Sequence, residues 1–257
     1  MNKILLLICL LAASKPLFAQ NARFTTEGVI EFERSNNMYA ILQKQVKESD
    51  NNSFMTQLYD QFKKTQPQFK LAKSQLYFSK NKTFFKPEED TAPPLPYIGN
   101  DPLIVQNNTI YIDFNTSQQT TQKKVFEETY LLKDSTRTIN WKITSEIRDI
   151  AGYPCRRANA IIMDSIYVVA FYTDEIPVSG GPESFSGLPG MILGVALPHE
   201  NISWFAKLVT DKSIEANVIV PPVKGKATTS KGFTAILSKA LSGWGRYAKN
   251  ANKAYNL

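Results

Sequence analysis

The sequence predicts an α+β fold that is mainly β: a large curved antiparallel meander sheet with an N-terminal helical pair and a C-terminal amphipathic helix packed on it. Three observations support this class. Runs of alternating apolar and polar residues dominate from Thr109 to Val220. Turn residues separate these runs at intervals of about 8 to 14 residues, which favours hairpins over βαβ units. Apolar residues at helical spacing occur near the two ends of the chain.

The N-terminal part predicts a strand, two helices and a hairpin. Residues 25–35 alternate and form the first predicted strand. Two helical patterns follow, and Ser53 is the predicted N-cap of the second helix. Two alternating runs then flank the polar residues 79–82, which predicts a hairpin. The apolar positions of the two helices are Met38, Ile41 and Leu42, and then Phe54, Leu58 and Phe62.

A proline-rich segment, residues 87–102, interrupts this pattern. It contains five prolines and one glycine. Because proline fixes φ and lacks a backbone N–H, neither a helix interior nor a central strand fits here. We predict a long surface loop, which either crosses the edge of the sheet or presents a polyproline II segment to a partner.

Two later elements have a clear periodicity. From Trp141 to Ile147, mostly apolar residues alternate with charged and polar ones. This pattern predicts a half-buried strand whose second face is exposed to water. Near the C-terminus, a helix of about five turns is predicted to begin at a Ser230 cap. We expect its apolar stripe to pack on the sheet, with a membrane-surface position as the alternative. The stripe comprises Phe233, Ile236, Leu237, Ala240, Leu241, Trp244 and Tyr247.

The first residues have the pattern of a cleaved signal peptide. A lysine at position 3 precedes an apolar run over residues 4–13, and a small residue, Ala19, precedes the predicted cut. The run is shorter than the roughly 20 residues that a bilayer-spanning helix needs. We therefore predict a signal peptide over 1–19, a single domain over 20–257, and no transmembrane segment after cleavage. A net charge of +7 at pH 7 in an exported chain gives no support for nucleic-acid binding.

The titratable residues form no recognisable catalytic or metal-binding set. His199 is the one histidine, and Cys155 is the one cysteine outside the predicted signal peptide. Ser203 stands where the second histidine of an H-E-x-x-H motif would be. The expected roles are an exposed turn residue for His199 and a buried apolar residue for Cys155. No catalytic residue, cofactor or metal is predicted, and a hydrolase or metal-dependent enzyme that uses either residue stays as an alternative.

Residues 174–190 form a loop rich in glycine and proline between two apolar runs. The stretch GGPESFSGLPG lacks the lysine of a P-loop, the spacing of a dinucleotide-binding loop and the neighbours of a nucleophile elbow. It also precedes a strand rather than a helix, so no helix N-terminus is available to an anion. We predict a rigid turn in two parts, in which positive φ at Gly187 or Gly190 would make that glycine hard to replace.

The string GPESFSGLPGMIL resembles the signature of the GLPGLI family of exported proteins, with Met191 where the hexapeptide has leucine. The resemblance extends over about Asn140 to Leu208, where other residues of the family pattern occur in order. They are Trp141, Ile150, Gly152, Tyr153, Cys155, Ala158, Tyr172, Ile176, Pro177, Gly181 and Pro182. The resemblance implies a cell-envelope protein of a Gram-negative bacterium, often encoded near outer-membrane receptors, and it transfers no catalytic residue.

Two functions stay open beside the enzyme alternative. The first is a non-catalytic binding or accessory module in the periplasm or at the outer membrane, whose partner is an outer-membrane receptor, another envelope protein or an apolar ligand. The second is a purely structural envelope protein. For a binding module, the predicted site lies on the sheet, rimmed by the proline-rich loop 87–102 and the loop 174–190. Its residues are Tyr172, Phe185, Leu188, Pro189 and Gly190.

Overall fold

The computed structural model describes residues 24–49, 52–89, 102–105 and 107–257. The strands in these residues are β1 (Glu27–Asn37), β2 (Phe69–Ser79), β3 (Lys82–Pro87), β4 (Asn108–Asp113), β5 (Gln118–Val125), β6 (Glu128–Ser135), β7 (Lys142–Ile150), β8 (Tyr153–Ile162), β9 (Ile166–Thr173), β10 (Met191–Leu197), β11 (Ile202–Asp211) and β12 (Lys226–Thr228). The helices are α1 (Met38–Glu48), α2 (Asn52–Thr65), α3 (Pro102–Val105), α4 (Ser230–Ala240) and α5 (Arg246–Asn256). The predicted signal peptide and most of the proline-rich segment lie outside the described residues.

One open sheet of 12 strands organises the described residues, in the order β12-β6-β5-β4-β3-β2-β1-β11-β10-β9-β8-β7. Neighbouring strands are antiparallel except β12, which pairs with β6 in parallel. The sheet therefore consists of two meanders, β2 to β6 and β7 to β11, and β1 joins them by pairing with both β2 and β11. The predicted fold class, mainly β with an antiparallel meander, is confirmed.

One face of the sheet is buried, and we call it the inner face. Side chains directly opposite each other on paired strands share a face. Ile30, Leu76, Phe85 and Ile110 lie opposite one another across four strands, and each is at most 3% exposed. Among the described residues, the loop 174–190, α3, α4 and α5 lie against this face. The inner face and its cover form the core because the apolar side of a sheet must be removed from water.

Local sequence signals account for the N-terminal elements. The hairpin β2–β3 turns at Lys80 and Asn81, whose φ angles are 50° and 59°, as a two-residue turn of the I′ type requires. The predicted helical pair is present, and α1 buries Met38, Ile41 and Leu42. Helix α2 begins at Asn52, so the prediction of Ser53 as its N-cap is wrong and the serine lies inside the helix.

The predicted burial of the strand around Ile147 is wrong. Ile143 is 44% exposed and Ile147 is 64% exposed. The reason is the position of β7, which is the last strand of the sheet and has a neighbour on one side only. A register shift in its pairing with β8 between Ile143 and Ile147 loosens the contact further.

The single C-terminal helix predicted from Ser230 is two helices. The chain leaves the helical path after Ala240, and Gly245 takes a positive φ of 53° before α5 begins. The predicted stripe is consequently divided. Phe233, Leu237 and Leu241 are buried as expected, whereas Ile236, Trp244 and Tyr247 are exposed. No helix in the described ranges combines the length and the hydropathy that crossing a membrane would need.

Candidate functional site

The loop 174–190 is fixed to the inner face by its own backbone. The N–H of Ile192 donates to the carbonyl of Gly180 at 2.8 Å, and that of Met191 donates to Ile176 at 3.0 Å. From outside the loop, the indole N–H of Trp141 donates to the carbonyl of Ser186 at 2.8 Å. Because these bonds satisfy backbone groups that the core would otherwise leave unpaired, the loop is a packed layer of the fold.

The structure places most of the predicted binding residues in the core. Phe185 and Leu188 are each 2% exposed, and Tyr172 is 4% exposed. The Phe185 ring packs against Trp204 of β11 with 6.1 Å between ring centroids. Gly190 is buried as well, whereas Pro189 is exposed. The binding role of these five residues stays a prediction, and their packing shows that four of them face protein.

A charged cluster lies beneath the same loop. Glu183 has a positive φ of 52°, and its carboxylate accepts a hydrogen bond from the side-chain amide of Asn108 at 3.0 Å. Burial raises the pKa of Glu183, and the nearby Arg34 and Lys123 oppose that rise. Arg34 lies over the Trp204 ring, 5.1 Å from its centroid, and donates to the side chain of Asn36 at 3.2 Å. The loop therefore places the carboxylate of Glu183 near the cations Arg34 and Lys123 of the inner face.

Lys123 of this cluster and a second cation, Arg137, hold the end of α5. The ammonium of Lys123 on β5 donates to the carbonyl of Tyr255 at 2.7 Å, and Arg137 donates to the carbonyl of Asn256 at 2.7 Å. The last carbonyls of a helix have no partner within it, so cations are favourable there. Burial lowers the pKa of Lys123 to about 8; Glu183 opposes this and Arg137 adds to it. Burial also lowers the pKa of Arg137.

These cations line a cavity of about 650 Å³ between β4–β6 and α5. Residues of the segment 137–140 and of the turn between β8 and β9 also line it. Among the described lining residues, four are cationic (Lys123, Arg137, Lys249 and Lys253) and one, Asp134, is acidic. The backbone N–H of Ser230 donates to the Asp134 carboxylate at 2.9 Å, and this bond is the main cause of its lowered pKa. We call this space the polar cavity.

One polar atom in the wall of the polar cavity has no partner. The side-chain oxygen of Gln119 is buried and accepts no hydrogen bond within the described residues. Its amide nitrogen donates to the hydroxyl of Thr121 at 3.0 Å. If the amide is turned over, the oxygen meets the hydroxyl and the nitrogen is left instead. In either orientation one hydrogen-bonding atom of this side chain, which belongs to a residue lining the cavity, has no partner among the described residues, and that is costly unless a bound molecule satisfies it.

The two residues of the enzyme alternative lie away from this cavity wall. Cys155 is fully buried, and burial raises the pKa of its thiol to about 12, so the nucleophilic thiolate is scarce near neutral pH. His199 is exposed on a 3-10 turn, Pro198–Glu200, with its ring 6.1 Å from that of Tyr167. In the ranges that the structure describes, His, Cys, Asp and Glu form no group of three that could hold a metal ion.

The residues of the polar cavity have little signal in the sequence. Its residues on β5 belong to the run QQTTQKKV, which is polar at nearly every position. Period-2 alternation therefore gave no sign of which side chains face inward. One signal was present: a long polar strand beside apolar ones indicates an inner face that is not filled by side chains alone.

Comparisons with known proteins find a family match over a short stretch of the chain and a distant likeness to solved structures. Residues 161–194, which span β9 and the loop 174–190, match a family described as "protein of unknown function (Porph_ging)". No curated protein matches the chain. Among solved structures it is similar to PNGF-II in two crystal forms, with 16% and 13% identity, TM-scores of 0.49 and 0.50, and coverage of 79% and 81% of this chain. The chain spans 32% of the length of each of those chains, and at these identities the likeness is one of fold.

Proposed function

We propose that this chain is a non-catalytic ligand-binding module of the cell envelope, exported in the way that its resemblance to the GLPGLI family implies. The polar cavity carries the proposal. Its volume of about 650 Å³ falls within the range of small-molecule sites, about 300 to 1,000 Å³. Its wall contains a buried lysine and a buried amide atom that lacks a partner. A module that only filled space would gain stability from apolar side chains at these positions.

The lining favours a polar ligand over the apolar one named in the sequence analysis. The aromatic side chains of Phe185, Trp204 and Tyr172 are buried in the core. The cavity is instead lined by hydroxyl, amide and cationic groups together with six apolar side chains, which are Ile110, Leu132, Ile161, Ile162, Met163 and Leu257. The binding role predicted from the sequence is therefore retained, and the ligand is changed to a polar one.

Export and location form a separate part of the proposal. The apolar run and the small residue at position 19 support a signal peptide, and the module would then work in the periplasm or at the outer membrane, with an outer-membrane receptor as its partner. Cell fractionation followed by N-terminal sequencing tests this part. We expect an envelope fraction whose chain begins at Gln20. A cytoplasmic chain that begins at Met1 would contradict it.

Native mass spectrometry of the protein purified from the envelope tests ligand binding. We expect a bound species that is lost in the variant Asn140→Trp, because residue 140 lines the polar cavity and is exposed enough to accept an indole. Asn217→Trp is the matched control, since Asn217 is exposed and does not line the cavity. A wild-type protein without a bound species, and with an unfolding midpoint that no envelope extract changes, would favour a purely structural role.

A further inference from the structure

The polar cavity has features that define the chemistry of its ligand, and this inference rests on the function proposed above. We propose that the cavity takes a hydroxyl-rich small molecule that carries an acidic group, of the size of a sugar acid or a sugar phosphate. Three independent features of the wall support it: the charge of its side chains, the unsatisfied amide of Gln119 and the number of its hydroxyl and amide groups.

The charge of the wall selects for an acid. Lys253 is ion-paired with Glu200, Glu183 lies near Lys123, and Asp134 keeps its negative charge while it accepts a hydrogen bond from the N–H of Ser230. The four cations of the wall therefore exceed these three carboxylates by one positive charge. Lys123 and Arg137 each donate one bond to a carbonyl of α5. An ammonium has three donors and a guanidinium has five, so both have further N–H groups for a carboxylate or phosphate. Lys249 adds an exposed positive charge on the α5 side of the cavity.

The amide of Gln119 selects for a hydroxyl. A hydroxyl both donates and accepts hydrogen bonds, so it satisfies this amide in either of its orientations. A methyl group would pair with neither the amide oxygen nor the amide nitrogen, and an ammonium group would pair with the oxygen alone. The neighbouring wall repeats the same chemistry, because Thr121, Ser184 and Thr234 bring hydroxyls to the cavity. A ligand with several hydroxyls therefore matches the wall better than a simple anion does.

Calorimetric titration of the full chain with three related probes tests the acid. The probes are D-glucuronate, D-glucose 6-phosphate and neutral D-glucose. We expect at least one of the two acids to bind about tenfold more tightly than glucose, which corresponds to one charge-assisted hydrogen bond. Tighter binding of glucuronate supports a carboxylate ligand, and tighter binding of the phosphate supports a phosphorylated one. Equal affinity for all three probes would overturn the acidic part of the inference.

Two matched pairs of variants test the residues. Gln119→Leu is expected to weaken binding of the preferred acid by about three- to tenfold, as the loss of one hydrogen bond would. Gln118→Leu is its control, because the adjacent side chain is exposed and does not line the cavity. Lys249→Gln is expected to weaken binding by a few-fold and to reduce its salt dependence. Lys239→Gln, on the exposed side of α4, should change neither.

The variant Gln119→Leu also has a readout that does not need a ligand. If the amide leaves a polar atom unsatisfied in the empty protein, leucine should maintain or raise the free energy of unfolding. Gln119→Leu that folds stably and binds the acid as tightly as wild type would overturn the role of the amide. If no probe binds although native mass spectrometry finds a bound species lost in Asn140→Trp, the ligand class is wrong and the proposed function stands. If neither experiment finds a ligand, both fail.

Discussion

Replacement of Gly190 by alanine should be far more destabilising than replacement of Gly187, although both glycines belong to the same four-residue turn. Both have positive φ, 92° at Gly187 and 148° at Gly190. Their surroundings differ. A Cβ on Gly190 would lie 2.1 Å from the carbonyl oxygen of Thr173, whereas a Cβ on Gly187 would meet nothing closer than 3.6 Å, the indole nitrogen of Trp141.

The structure gives the magnitude of each effect. Alanine at positive φ costs about 1 to 2 kcal/mol, so Gly187→Ala should lower the free energy of unfolding by about that amount. Gly190→Ala adds the steric conflict. Backbone at Thr173 cannot rotate away as a side chain can, and Met191 pairs with Thr173 where β10 begins. Overpacking costs about 1 to 3 kcal/mol, occasionally more, so the total for Gly190→Ala should reach about 3 kcal/mol or above.

Urea denaturation followed by tryptophan fluorescence measures both variants against wild type. If the m-values agree, the change in midpoint reports the change in stability directly. Gly187→Ala serves as the control, since it carries the cost of positive φ without the steric conflict. The reasoning is refuted if the two variants lose the same stability, or if Gly190→Ala unfolds at the wild-type midpoint.

Three other predictions follow from buried groups. In a Cys9→Ser background, Cys155 should react with a thiol reagent at pH 8 only after denaturant is added, and rapid reaction of the native protein would contradict its burial and its pKa of about 12. Because the folded state binds the Lys123 proton more weakly than the unfolded chain does, Lys123 should make wild type about 1 kcal/mol more stable at pH 9 than at pH 8. Lys123→Met should lack that increment, and an identical pH profile of the variant in urea titrations would refute the assignment. Trp141→Phe should lower the free energy of unfolding by about 1 kcal/mol in urea titrations, because the carbonyl of Ser186 loses its indole donor. An unchanged free energy of unfolding would show that this bond does not anchor the loop.

Local sequence signals predicted where helices, strands and turns lie along the chain. They did not predict which of these elements pack beside each other. The turn at Lys80 and Asn81 could be found because its cause lies within four residues of chain. The alternation of residue types around Ile147 was equally regular. The burial of Ile147, however, depends on which strands lie beside β7, and the residues of β7 do not determine the strand order of the sheet. The break before α5 did have a local cause, Gly245, which was outweighed by the apolar stripe.

The candidate site was harder to predict than the fold for the same reason. Lys123 and the carbonyl of Tyr255 are 132 residues apart in the chain, and neither has a motif around it. The loop 174–190 could be predicted as a rigid turn because it is rich in glycine and proline. Its conspicuous residues serve a steric purpose, since Gly190 approaches the backbone of Thr173 too closely for a side chain. The polar residues on β5 have no such signature, and only the assembled sheet brings them to one wall.

The position of β1 between the two meanders also has a consequence for the order of folding. Within each meander, paired strands follow each other along the chain, so most of their contacts close shorter loops than the pairing of β1 with β11 does. The seam between them pairs Gly28 with Asp211 and Asn36 with Ile202, residues from opposite ends of the described chain. Closing so long a loop is slow, because its entropy is lost before the contacts that reward it are made. We expect the two halves to gain their hairpins first, and the joining of β1 to β11 to be the step that completes the molecule.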